Sequence, residues 1–232
     1  MQAVASLLTP GLSVADVGCD HAHVSIYLIE NGLAASVIAM DVGEGPLNTA
    51  RENIRQQGLS DVIETRLSDG GRELRVGEVQ AAIIAGMGGM LMERILNESM
   101  EVFMAMEELI LAPQSDLSHF RRYITSIGMK IIDEDMVQEG GIFYPVIKAV
   151  PVKNSGGGKS EPDELTDIEA AFGPVLLGKK HKVLLEYLNW NRRLKVNVRK
   201  ILEESDESER AAERLKTFIQ DIEMIDEALG RY

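Results

Sequence analysis

Apolar and polar positions along the chain alternate between two periods, one of two residues and one of three to four, in an order that builds a parallel sheet covered by helices. Leu12, Val14, Ala15 and Val17 form a short apolar run, and the residues from Val24 onward space their apolar side chains as a helix does. Residues 36–40 repeat the strand pattern, and Pro46 to Gln57 reads as a helix, with proline in its first turn and Gly58 just past its end. Further strands are predicted over 62–67, 80–85 and 108–111, with helices over about 90–96 and 117–127. The runs 130–137 and 142–150, separated by a Gln-Glu-Gly-Gly stretch, read as an antiparallel hairpin at a sheet edge. Seven strands result, in an α/β, Rossmann-like and mostly parallel sheet with an antiparallel last strand.

Beyond Pro151 the pattern changes. Residues 153–162 have the Gly/Ser-rich composition of a linker, so the chain divides into a sheet domain over 1–155 and a linker with a helical domain over 156–232. Val183, Tyr187, Trp190, Leu194, Val198 and Ile201 recur at helical spacing, as do Ala211, Leu215, Phe218, Ile222, Ile225 and Leu229. The expectation is an antiparallel coiled-coil hairpin turning near residues 204–208, its seam serving either to hold the protein together or to join two copies.

Chemistry concentrates at the ends of the first four strands, the side on which an open α/β sheet holds its ligand. The first strand runs into Asp16-Val17-Gly18-Cys19-Asp20-His21, the second ends at Asp41, the third at Asp69-Gly70, and the fourth at Gly86-Met87-Gly88-Gly89. The first turn lacks the second glycine of a dinucleotide fingerprint, and no phosphate-loop motif occurs in the chain. Carboxylates at Asp16 and Asp20 repel an anion and attract the sulfonium and ammonium of S-adenosylmethionine. Either aspartate could instead cap the following helix. Asp41 is placed to accept from ribose hydroxyls and Asp69 from an adenine amine, while Gly86, Gly88 and Gly89 leave room for cofactor and an incoming base.

Charge and composition narrow the field. The chain has 24 basic and 37 acidic residues, a net charge of −13, yet residues 179–200 hold eight Lys and Arg against Glu186 alone. Lys179, Lys180, Arg192, Arg193, Lys195 and Arg199 are therefore candidate phosphate contacts, the alternative being a solvated helix face. The single cysteine, Cys19, excludes an internal disulfide and a multi-cysteine zinc site, and His21 and His23 do not share a helix face, so no metal is expected. With no long apolar run and no signal-like start, a soluble cytoplasmic protein is expected, with no membrane partner.

In the order Asp16-Val-Gly-Cys-Asp-His-Ala-His, Asp69-Gly, Ala85-Gly-Met-Gly-Gly, Leu109-Ile-Leu-Ala-Pro-Gln and Gly178-Lys-Lys-His, the chain resembles, over nearly its whole length, the bacterial tRNA (adenine-N1)-methyltransferases that modify adenine 22. The resemblance implies a class I methyltransferase sheet, a C-terminal coiled coil, S-adenosyl-L-methionine as cofactor and tRNA as substrate. It departs from the family pattern at Cys19, His23 and Gln114, where Ser, Tyr and Asn are expected, and at the N-terminus, where the family has several more residues. Asp20 is the catalytic candidate on both the resemblance and the chemistry: a carboxylate beside the cofactor turn stabilises the positive charge that adenine acquires on N1 methylation. Asp16, Gly18, His21, Asp41, Asp69, Gly70, Gly86 and Met87 are the cofactor-binding candidates. Amino-group methylases commonly carry Asn/Asp-Pro-Pro-aromatic after the fourth strand, whereas Gly86-Met-Gly-Gly stands here, which favours a ring nitrogen as target. A methyltransferase of a small molecule or protein and a non-catalytic cofactor-binding scaffold remain as alternatives, and the residues leave monomer and weak dimer open.

Overall fold

A computed structural model describes residues 1–152, 164–205 and 209–232, with the side chains of 203–205 and 209–214 outside the description. The predicted linker over 153–162 and most of the predicted turn near 204–208 fall outside these residues. The elements are α1 (Gln2–Leu7), β1 (Leu12–Val17), α2 (His23–Glu30), β2 (Ala34–Asp41), α3 (Glu44–Gln56), β3 (Ile63–Leu67), β4 (Ala81–Met87), α4 (Gly89–Glu98), α5 (Met100–Met104), β5 (Glu108–Pro113), α6 (Leu117–Ser126), β6 (Met129–Glu139) and β7 (Ile142–Pro151). Four helices follow, α7 (Asp167–Phe172), α8 (Pro174–Gly178), α9 (Lys182–Ser205) and α10 (Glu209–Leu229).

The seven strands lie in the order β3-β2-β1-β4-β5-β7-β6. Pairings among β1 to β5 are parallel, and β7 runs antiparallel to both β5 and β6. The central strands are apolar without alternation because both faces of the sheet are covered. One core, with Ile84, Leu96, Phe103, Leu109 and Phe120, lies under α4, α5 and α6, and the other, with Leu28, Leu47, Ile83 and Ile110, lies under α1, α2 and α3. Full burial of each such side chain contributes about 1.5–3 kcal/mol. This two-faced core leaves the carboxyl ends of β1, β2, β4 and β5 together along one edge of the sheet, with a change of direction at β1/β4.

The β6–β7 hairpin turns in two residues, Gly140 and Gly141, both at positive φ (59° and 83°), the geometry that matches the twist of the strands. Its two faces serve different partners. Met136 and Phe143 pack towards α7–α10, while Val137 and Val146 pack into the core that includes α1.

The helical region is fixed to the sheet by a buried ion pair that the sequence pattern does not announce. Arg121 on α6 and Glu134 on β6 are 1% and 0% exposed, with Nε 2.8 Å from Oε1. Arg121 also donates to the carbonyls of Ala170 and Ala171 at the end of α7, and Glu134 accepts from the Val175 and Leu176 amides at the start of α8. Gly173, at φ 92°, has no room for a side chain, since a Cβ there would lie 2.6 Å from the Glu134 carboxylate. A capping box between Thr166 and Glu169 starts α7.

Helices α9 and α10 pair antiparallel, as the cross-links between Arg192 and Asp226 and between Lys195 and Asp221 require. The expected seam on α9 is corrected. Leu184 and Leu188 are fully buried, whereas Trp190, Leu194 and Ile201 are 43%, 47% and 62% exposed. Two apolar stripes run along this helix, and the carboxylates of α10 select the one flanked by Arg192 and Lys195, with the Lys195 ammonium also 5.3 Å from the Phe218 ring centroid. On α10 the expected positions Ile222 and Ile225 are buried.

Candidate active site

The turn after β1 is held by backbone and by α3. The Gly18 and Cys19 amides both donate to the Met40 carbonyl at 2.8 Å, which ties the end of β1 to the end of β2. Asn53 on α3 donates its side-chain amide to the His21 carbonyl at 3.0 Å. Gly18 has φ 78°, and a Cβ there would lie 2.2 Å from the Met87 methyl, so the turn needs glycine on conformational and steric grounds together. Asp20 and Ala22 also adopt left-handed conformations, at φ 52° and 61°.

Three of the predicted carboxylates converge here in distinct states. Asp16 is 4% exposed, accepts from the Ser25 hydroxyl at 2.6 Å, and has its pKa pushed up to about 6 by burial, against which the Ser25 hydrogen bonds act and to which the Asp41 charge adds. Asp41 accepts from the Asp20 amide at 3.2 Å and from the Gly43 amide at 2.9 Å, one bond to each oxygen, which fixes its carboxylate at the end of β2. A carboxylate has roughly four lone-pair sites, so each oxygen keeps capacity for a hydroxyl donor. Asp20 is exposed, with the His21 Nε2 at 3.6 Å from Oδ1. The His21 Nδ1 is buried and has no hydrogen-bond partner among the described residues.

Cys19 is buried and burial pushes its thiol up to about 12, so it stays protonated and is no nucleophile. Asp69 is engaged elsewhere: Arg94 lies 3.1 Å and Arg72 3.3 Å from its carboxylate, in a network that includes Glu98. An adenine amine there would share the carboxylate with two guanidiniums. Gly70, at φ 65°, lets the chain pass 3.0 Å from Ile95 where a Cβ would sit.

The glycines after β4 divide in function. Gly88 and Gly89 are corrected: a Cβ at either would meet Ser115, at 2.8 Å from its hydroxyl or 2.7 Å from its carbonyl, so they admit the β5–α6 loop and not a ligand. Gly86, at φ 77°, borders a cavity of about 280 Å³ at the ends of β4 and β5, with Pro113, Gln114, Val137, Glu139 and Tyr144 also lining it. A cavity below the ~300 Å³ at which drug-sized pockets begin suits one planar base better than a whole nucleotide. Gln114, Glu139 and Tyr144 are site residues that the sequence reading did not place, because only the return of the distant hairpin brings β6 and β7 to β5.

The expected phosphate contacts are largely engaged within the protein. Lys179 pairs with Asp133, Arg192 with Asp226, Lys195 with Asp221, and Lys180 reaches the Tyr232 carbonyl at 3.4 Å. Arg199 lines a groove between α9 and α10. Arg193 is exposed, as are Lys182 and Lys200 on the same helix, and these three make no ion pair among the described residues. No cluster of three or more His, Cys, Asp or Glu suited to a metal occurs among the described residues, and no described helix is long and apolar enough to cross a membrane.

Comparison with known proteins places this geometry. A family model described as a methyltransferase domain matches residues 1–147. The tRNA (adenine(22)-N(1))-methyltransferase of Bacillus subtilis (strain 168) is 28% identical over 99% of this chain and 95% of its own. The crystal structure of the B. subtilis M1A22 tRNA methyltransferase TrmK superposes with a TM-score of 0.83 at 27% identity, covering 98% of this chain and 96% of that one. Streptococcus pneumoniae Sp1610 in complex with S-adenosyl-L-methionine gives a TM-score of 0.81 at 30% identity, covering 98% of this chain and 97% of that one.

Proposed function

Since the chain belongs to the methyltransferase-domain family, we propose that the acidic turns of β1 and β2 hold S-adenosylmethionine and that Asp20 serves transfer of its methyl group to N1 of an adenine in tRNA. The enzyme is an S-adenosylmethionine-dependent tRNA (adenine-N1)-methyltransferase, and adenine 22 is the position its relatives name. The single observation that carries the site assignment is the convergence of Asp16, Asp20 and Asp41 on one glycine turn, with an open base-sized cavity next to it at Gly86.

The residues fit that cofactor. Asp41, fixed by two amides, would take the ribose hydroxyls, and buried Asp16 gains by facing positive charge, which restores its ionised form. Gly18, His21, Gly70, Gly86 and Met87 line the path between these carboxylates, and Asp69 supports it through α4. Bound S-adenosylmethionine supplies an electrophilic methyl on a sulfonium. The chain's residues supply the rest. Adenine N1 carries its own lone pair, so the site has to align the base and needs no general base. The target is turned out of its stack to enter the cavity. As the ring becomes cationic, the Asp20 carboxylate stabilises it or accepts from the exocyclic amine, and the Asp41 bond to the Asp20 amide keeps that carboxylate in place.

Incubation with labelled cofactor and separate acceptors tests the assignment: label is expected in unmodified tRNA, and label in free adenosine or in protein would instead favour a small-molecule or protein methyltransferase. A pH dependence follows from Asp16. Its folded-state pKa of about 6 exceeds the ordinary 3.8, so its contribution to stability is complete below about pH 4 and is lost as pH rises through about 6. Binding of a cationic cofactor runs the opposite way. Affinity for S-adenosylmethionine is expected to fall up to about tenfold per pH unit below about pH 6, and Asp16→Asn to flatten that dependence, as read by calorimetry between about pH 5 and about pH 8.

The tRNA grip is assigned to the exposed cations of α9, chiefly Arg193, with Lys182 and Lys200 beside it on the same helix. Replacing all three by Glu is expected to raise KM for tRNA by at least tenfold and to flatten its salt dependence by roughly three contacts. Calorimetric cofactor affinity is expected to stay unchanged. Reversal of Arg192 or Lys195 is a poorer test, because it sets like charges against Asp226 and Asp221 and opens the helical pair.

A further inference from the structure

The aromatic step where the hairpin meets α9 is not absorbed by the methyl-transfer site. Phe143 of β7 and Tyr187 and Trp190 of α9 form one cluster, with ring centroids 5.2 Å apart for Phe143–Tyr187, 5.7 Å for Phe143–Trp190 and 6.1 Å for Tyr187–Trp190. Trp190 nevertheless remains 43% exposed, and exposed Leu194 continues the same stripe. An indole left facing water on a packed base of two further rings is a preformed, rigid stacking surface. Arg193 stands three residues on, exposed and without an ion pair among the described residues.

We infer that Trp190, backed by Phe143 and Tyr187, is a stacking platform for an unpaired nucleobase of the tRNA near the target adenine. The inference rests on the tRNA reading above and adds a second point of contact to it. Position supports this occupant. Phe143 and Tyr144 are neighbours on one strand and point to opposite faces, so the platform and the base-sized cavity lined by Tyr144 are separated by the thickness of the hairpin. Unpaired bases are recognised by stacking on aromatic rings, with arginine holding the adjoining phosphate. Charge argues against a second copy of the chain as occupant. A self-contact would bring two helices together that each carry eight basic residues against one acidic residue over 179–200, whereas a polyanion neutralises them.

Trp190 is the chain's single tryptophan, so its emission reports the platform alone. Addition of unmodified tRNA is expected to quench that emission, and Trp190→Ala to raise KM for tRNA about tenfold with kcat at saturation nearly unchanged, while Trp190→Phe retains most of the affinity. Calorimetric binding of S-adenosylmethionine by each variant confirms that the sheet domain is intact. Quenching that is absent while wild-type protein methylates tRNA, together with a wild-type KM in Trp190→Ala, overturns the platform and leaves the methyltransferase reading standing. A dimer in sedimentation that Trp190→Ala dissociates gives the face to a second copy and overturns it as well. Absence of any methyl transfer to tRNA by the wild-type protein overturns both.

Discussion

Asp20→Asn is expected to lower the turnover number for tRNA methylation by about 10²–10³-fold, the scale seen when one preorganised electrostatic contact to a developing charge is removed. Asparagine is the informative replacement. Asp20 sits at φ 52°, a conformation that asparagine tolerates and alanine does not, so alanine would mix lost charge with backbone strain of roughly 1–2 kcal/mol. The Asp20 side chain is exposed and its amide, not its carboxylate, makes the bond to Asp41. Cofactor affinity and thermal midpoint are therefore expected to match the wild type. Single-turnover rates, calorimetry and thermal melting separate these effects, and a turnover within about twofold of wild type would remove Asp20 from catalysis.

Arg121→Leu is expected to cost about 3–5 kcal/mol of stability, because it leaves the Glu134 carboxylate buried and short of its guanidinium. The loss has two parts. Arg121 also satisfies the carbonyls at the end of α7, and Glu134 alone cannot hold both α7 and α8. The double replacement Arg121→Leu with Glu134→Leu is expected to recover part of the loss, since no unpaired charge remains, but not the part due to the Val175 and Leu176 amides. Denaturant midpoints of the two singles and the double give the coupling energy directly. Equal and additive losses would show that the pair is not the clasp between sheet and helices.

Most of the sheet was legible because burial on both faces writes itself as continuous apolar runs, and because turn residues mark the ends of those runs. The glycine turn and its carboxylates were legible for the same reason: Asp16, Gly18, Asp20 and Asp41 lie at strand ends whose order follows from the topology. Short helices were not. Helices α1, α5, α7 and α8 span six residues or fewer, too few for a period to show, although the Thr166–Glu169 capping box is visible once sought.

What escaped the pattern depends on partners far apart in sequence. A shift in the β6 ladder between Ile131 and Asp133 turns Glu134 inward, where simple alternation would turn Asp133, and so hides a buried charge in an ordinary acidic stretch. The stripe chosen as the α9 seam depends on Asp221 and Asp226 of the opposing helix, so a spacing count on α9 alone selects the wrong face. Asp69 reads as a ligand until Arg72 and Arg94 are seen around it.

The central claim is that the carboxyl edge of this sheet directs a methyl group from S-adenosylmethionine to the ring nitrogen of one tRNA adenine. Mass spectrometry of nucleosides from unmodified tRNA treated with protein and cofactor, with the site mapped by reverse-transcription arrest, tests it most directly. The account predicts N1-methyladenosine at adenine 22 and no product on a tRNA carrying guanine there. Modification of the exocyclic amine, or tRNA that stays unmodified while the folded protein takes up cofactor, would contradict it.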